Sequence, residues 1–129
     1  MRILITAMAL AAMTAPTLAG SEKVPVIYGH EAELDACPSQ GIVQRIDPKG
    51  ATILALRDGP SASNKVLAKL RVGQKVALCD SKPGWLGVVV FPNGKALCGT
   101  DVSLKKPVPY SGKCKSGWVP EKSILQVSG

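Results

Sequence analysis

Four cysteines, Cys37, Cys79, Cys98 and Cys114, set the first constraint on how this chain can fold. None belongs to a Cys-x-x-Cys pair and His30 is the only histidine, so the ligand spacing of a zinc site is missing and no metal is expected. An even count in a small chain points instead to disulfides. Three connectivities are possible. The favoured one joins Cys98 to Cys114 across a segment containing lysine and proline, which leaves Cys37 with Cys79.

The first residues fit the oxidising compartment that disulfides require. Arg2 is a short basic start, and residues 3–13 are apolar apart from Thr6. That run is shorter than the roughly 20 residues needed to span a bilayer. Thr14-Ala15-Pro16-Thr17-Leu18-Ala19 then supplies a helix breaker and small side chains where a signal peptidase cuts. The expectation is a signal peptide over 1–19, a mature start at Gly20, a periplasmic or secreted protein and no stable membrane insertion. No cysteine sits at the cleavage point to carry a lipid. The remaining roughly 110 residues suit one small domain with a modest core.

Charge is unevenly spread. The chain carries a formal net charge of +7. Acids gather early, at Glu22, Glu31, Glu33 and Asp35, whereas Lys82, Lys95, Lys105, Lys106, Lys113, Lys115 and Lys122 come late, against Asp101 and Glu121. A basic late half on an exported protein favours anionic envelope polymers, lipid head groups or an acidic protein over nucleic acid as a partner, although a merely solubilising surface is the favoured reading.

Periodicity then predicts short strands with no long helix. Residues 41–46 and 51–56 are β-prone and flank Asp47-Pro48-Lys49-Gly50, a type I turn signal, so they read as a hairpin. Residues 57–64 form a turn-rich loop, 65–70 resume the apolar pattern, and Gly73 breaks it. Residues 74–79 alternate, with Val76 and Leu78 on one face and Cys79 on the other. Residues 80–84 read as a turn and 85–91 as the most β-prone stretch, closed by Pro92-Asn93-Gly94. Residues 95–117 dissolve into Gly, Pro, Ser and Lys, longer than an ordinary connection. Gly117-Trp118-Val119-Pro120 gives a short strand. Residues 123–127 turn once as helix or return to the sheet, with Ile124, Leu125 and Val127 expected in the core. Residues 20–36 show no sustained period.

Several of these residues fall into one known pattern. Leu54-Ala55-Leu56-Arg57-Asp58-Gly59-Pro60-Ser61, Val66-Leu67, Leu70-Arg71-Val72-Gly73-Gln74-Lys75-Val76, Gly84-Trp85-Leu86-Gly87-Val88 and Gly117-Trp118-Val119 stand in the order seen in bacterial SH3-like domains, which residues 52–127 resemble. The resemblance implies an all-β fold, a small SH3-like barrel here bearing an N-terminal extension and a long disulfide-held loop. It divides the chain into a signal peptide (1–19), an N-terminal extension with a first strand (20–51) and the SH3-like domain (52–129). It also implies a non-catalytic module that binds peptides or peptidoglycan and needs no cofactor. The span between the two Gly-Trp motifs is longer than in the family.

Candidate ligand-binding residues are Arg57, Asp58, Trp85, Lys105, Lys106, Tyr110 and Trp118. Trp85 and Trp118 can floor a peptide groove or simply pack the core, and core packing is the favoured role with so few aromatics. Tyr110 is either an exposed contact or a packed loop anchor. Arg57 and Asp58 can hold a charged peptide end, although an internal ion pair fixing the loop is favoured. His30 lacks a neighbouring nucleophile motif, so an enzyme is disfavoured. Two functional readings follow: a module held to cell-wall peptides, peptidoglycan or an envelope protein, and an inhibitor or immunity protein that blocks an envelope enzyme or toxin with the Cys98–Cys114 loop. Export makes one prediction here. Mass spectrometry of the protein recovered from the cell envelope or the medium will show a chain that begins at Gly20, and a full-length chain would contradict it.

Overall fold

The computed structural model describes residues 22–45, 49–94 and 97–129, together with Ile3, Thr6 and Met8. Most of the expected signal peptide, its cleavage pattern and the Asp47-Pro48 part of the expected turn lie outside these residues. The described chain is all-β. Its strands are β1 (Ile27–Tyr28), β2 (Ser39–Val43), β3 (Ile53–Arg57), β4 (Val66–Arg71), β5 (Lys75–Lys82), β6 (Trp85–Val90), β7 (Val108–Pro109), β8 (Ser116–Pro120) and β9 (Ile124–Ser128). The helical elements among the described residues are two 3-10 turns, Pro92–Gly94 and Glu121–Ser123.

Seven strands form one sheet in the order β4-β3-β8-β6-β5-β2-β9, and β1 with β7 forms a second, two-stranded sheet. Among the described residues no ladder joins β4 to β9, so the larger sheet curls without closing, where a barrel was expected. The curl is visible in its core. Val43, Leu56, Leu70, Val76, Val88, Val119 and Ile124, one from each of the seven strands, pack into a single buried cluster. Gly117 permits a close approach of β8 to β3, because a Cβ there would lie 2.6 Å from the Arg57 carbonyl oxygen.

The opposite face of the central strands is buried as well. Ala77 and Cys79 of β5, Val89 of β6 and Trp118 of β8 form a second cluster with Val26, Cys37, Phe91 and Cys98. The alternation expected for β5 therefore holds, with Val76 and Leu78 in one cluster and Ala77 and Cys79 in the other. Burial on both faces is why β6 reads as a nearly continuous apolar run. What covers this second face is the N-terminal segment and the long segment after β6, which the two-stranded β1–β7 sheet joins. Residues 22–38 are thus part of the fold, although their sequence shows no period. They are held by long-range partners: Trp118 Nε1 donates to the Val24 carbonyl at 2.8 Å, Tyr110 N donates to Val26 O at 2.8 Å, and Ala36 N donates to Val102 O at 2.7 Å.

Both favoured disulfides form. Cys37–Cys79 ties the N-terminal cover to β5, and Cys98–Cys114 closes the long segment on itself. Three local expectations are corrected. β2 and β3 make no hairpin: β2 pairs with β5 and β9, and β3 pairs with β4 and β8, so distant partners occupy both edges of each strand. The turn expected over 80–84 shrinks to Pro83 and Gly84, since β5 and β6 pair as far as Lys82 opposite Trp85, and Gly84 takes the positive φ of 79° that so tight a connection needs. In β9 only Ile124 is buried. Leu125 and Val127, one strand step out of phase, point to solvent.

The two bridges differ in reach, with sequence separations of 42 and 16. Loop-closure entropy then predicts that Cys37→Ala/Cys79→Ala costs about 4 kcal/mol and Cys98→Ala/Cys114→Ala about 3 kcal/mol. Denaturant unfolding of both variants checks the order, and a larger loss from the shorter loop would contradict it.

Candidate functional site

Two clefts and one disulfide-held segment of the described chain are the candidates; Lys105, Lys106 and Tyr110 lie on that segment, and none of the seven residues expected to bind ligand lines either cleft. Trp118 is not available to any ligand. It is fully buried, and its indole N–H is spent on Val24. Trp85 is half-buried and packs against the same core cluster, so the pair does not form an exposed aromatic groove. The Gly-Trp motifs announce strand packing here.

Arg57 and Asp58 brace their own loop, but through Asn64 and not through an ion pair with each other. Arg57 Nη1 donates to the Asn64 carbonyl at 2.9 Å. Asp58 Oδ1 accepts from Asn64 Nδ2 and from Lys65 N, both at 3.1 Å. Asn64 is buried and also donates to the Glu22 carbonyl at 2.8 Å, which fastens the N-terminal cover to this loop. Its importance is hidden in the sequence because it sits inside a run of ordinary turn residues.

Tyr110 is a packed anchor. Its hydroxyl donates to the Cys98 carbonyl at 2.8 Å and accepts from Cys114 N at 3.3 Å, so it bridges both ends of the disulfide loop. Its ring meets Tyr28 edge-on at a centroid distance of 5.2 Å. Burial raises the phenol above its ordinary value, a rise that the bond from Cys114 opposes and Tyr28 reinforces. Lys105 and Lys106 stand exposed on the same segment, and Lys113 and Lys115 stand exposed beside Cys114. Among the described residues none of these four lysines forms an ion pair.

A cleft of about 450 Å³ lies against this segment. One wall is Ala68, Lys69 and Leu70 of β4, and the other includes Val90, Lys113 and Lys115. Its lining joins apolar residues such as Leu70, Val90 and Pro92 to Gln74, Asn93 and three lysines, with no carboxylate among the lining residues. A second cleft, of about 370 Å³, lies against the N-terminal cover and is lined by His30, Glu31, Ser39, Asp80 and Gln126 among others. Here sequence reasoning missed Asp80, which it placed in a turn. Asp80 Oδ2 accepts from Ile27 N at 2.9 Å, and Oδ1 accepts from Ser81 N at 2.9 Å and faces His30 Nε2 at 3.1 Å. The carboxylate is nearly buried and fastens β1 to β5. His30 bonds this carboxylate, and among the described residues no hydroxyl or thiol bonds His30.

Compared with known proteins, the chain matches no family model, no curated protein and no solved structure. Two disulfides fit an oxidising, periplasmic or extracellular setting. Among the described residues no helix is long and apolar enough to cross a membrane.

Because the Tyr110 phenol is held neutral, the unfolded chain loses this proton first as pH rises. The stability it contributes is complete below pH 10.0, the ordinary value, and falls as pH climbs through the raised one. Tyr110→Phe is expected to remove that alkaline loss while costing about 1–3 kcal/mol at neutral pH, since the Cys98 carbonyl and Cys114 N–H lose their partner. Thermal melts of both proteins from pH 7 to 11 check it, and parallel pH curves would contradict it.

Proposed function

We propose that this chain is an exported, non-catalytic binding module that holds an acidic protein of the cell envelope against its disulfide-held lysine segment. The observation that carries the reading is the state of that segment. It has little regular structure of its own, yet Cys98–Cys114, the Tyr110 hydroxyl and the β1–β7 pairing immobilise it, and its four exposed lysines have no acidic partners among the described residues. A pre-ordered cationic surface loses little conformational entropy on binding and attracts an anionic partner from a distance. That combination suits an inhibitor or immunity protein that covers an envelope enzyme or toxin.

The order of motifs in β3, β4, β6 and β8 supports an SH3-like domain over residues 52–129, which supplies six strands of the seven-stranded sheet, with β2 added by the N-terminal extension. Export rests on the signal-like residues 1–19 and agrees with the two disulfides. Recognition of peptidoglycan through aromatic side chains is the weaker reading, because Trp118 has no exposed face and Tyr110 is committed to internal bonds.

The test compares the wild-type protein with Lys105→Glu/Lys106→Glu, two exposed positions whose replacement leaves the core untouched. Wild type is expected to recover one envelope protein in fixed proportion, and the charge reversal to reduce that recovery at least about tenfold with an unchanged melting temperature. Sedimentation of the wild type with insoluble peptidoglycan, unaffected by the reversal, would overturn the proposal.

A further inference from the structure

The edge of β4 borders the lysine-rimmed cleft, and the pattern of its backbone hydrogen bonds says which groups face it. β4 pairs with β3 on one side and ends the sheet on the other. Val72 N donates to Thr52 O at 3.1 Å, and the register continues Leu54 opposite Leu70, Ala55 opposite Lys69 and Leu56 opposite Ala68. Bonded and non-bonded pairs alternate along an antiparallel ladder. The Leu54–Leu70 and Leu56–Ala68 pairs are therefore bonded, and the N–H and C=O of Lys69 point away from β3. No residue of β3 lines the cleft, whereas Ala68, Lys69 and Leu70 do, which puts the cleft on the unpaired side of β4.

The chemistry around this edge is matched to one kind of occupant. Leu70 and Val90 supply apolar lining from opposite walls, and Lys69, Lys113 and Lys115 supply positive charge. Cys114, between two of those lysines, is bridged to the buried Cys98, so the far wall is fixed in place by a covalent link. Exposed strand edges invite another strand, and a lysine at the edge admits an acidic strand while discouraging pairing with a second basic copy.

We propose that the β4 edge takes up an extended acidic peptide segment of the partner protein as an added strand. The backbone of that segment pairs with Lys69, its apolar side chains lie toward Leu70 and Val90, and its carboxylates meet Lys69, Lys113 and Lys115. This deepens the binding-module reading and rests on it for the identity of the partner as a protein.

The probe is a blocked pentapeptide of alternating valine and glutamate, titrated into the isotope-labelled, disulfide-bonded protein and followed by amide NMR shifts. Its valine–lysine counterpart is the control. Shifts are expected at residues 68–70, 90 and 113–115, with the control at least about tenfold weaker. Two variants separate charge from strand pairing. Lys69→Gln removes only the ammonium. Lys69→Pro also removes the N–H that faces the cleft, a change an edge strand tolerates when that N–H lies outside the ladder. Lys69→Pro is expected to bind at least about tenfold more weakly than Lys69→Gln, and equal binding would overturn strand addition. If Lys69→Pro disturbs the fold, seen as lost shift dispersion, Arg71→Pro removes the next edge N–H and the same comparison is made with Arg71→Gln. Shifts centred on Lys105 and Lys106 or on the His30 cleft would also overturn it. A partner lost by Lys105→Glu/Lys106→Glu but retained by Lys69→Pro refutes the β4 site alone. Tight, β4-centred peptide binding without any recovered partner refutes only the envelope-protein reading.

Discussion

Trp118 lies without exposed surface between β8 and the N-terminal cover, and its indole N–H reaches across to the Val24 carbonyl. Much of the remaining architecture depends on that contact. Burying so large a ring is worth on the order of 5 kcal/mol at the usual value per unit of apolar area, an upper estimate. The ring can be buried only if something covers the second face of β5, β6 and β8. The seven-stranded sheet curls around Val76, Val88 and Val119 and so covers the other face. The covering is left to segments with little strand character, and such segments have to be fastened individually. Cys37–Cys79, the Asp80 carboxylate to Ile27 N, and Asn64 to the Glu22 carbonyl do this for the N-terminal part.

The same requirement shapes the surface. The stretch from Cys98 to Cys114 must stay close to Tyr28, which its own Tyr110 meets, to complete the cover, and its backbone is tied at residues 100, 102, 108 and 110. Its lysines are consequently displayed from a rigid base. The geometry that stabilises the core thus places unpaired positive charge at fixed positions, next to the β4 edge of the sheet and the cleft it borders. Neither tryptophan contributes to that display, because the space beside each is used for packing.

Legibility in the sequence varied with the range of the forces involved. β3, β4, β6 and β8 were readable because apolar, β-branched runs bounded by Gly, Pro and Asn specify strands through local sterics and burial. Cysteine count and spacing led to both disulfides. The expected hairpin between residues 41–46 and 51–56 failed because strand propensity does not name a partner, and β5 and β9, from far along the chain, take the two edges of β2. β1 and β7 were invisible for a related reason: two-residue strands have no period to detect, and they exist only where the chain brings Ile27 and Tyr28 beside Val108 and Pro109. Asp80 and Asn64 looked like turn residues, since nothing in a single carboxylate or amide shows that a distant backbone group will need it.

Amino-acid order alone therefore determined the class of fold, the cysteine pairing preferred and the concentration of positive charge late in the chain, all properties set by composition and near neighbours. Tertiary structure decided which aromatic residues are interior, how far the N-terminal segment belongs to the core, and which lysines share a cleft with a free strand edge. These depend on contacts between residues tens of positions apart, whose energies arise only once the sheet has curled and its second face has been covered.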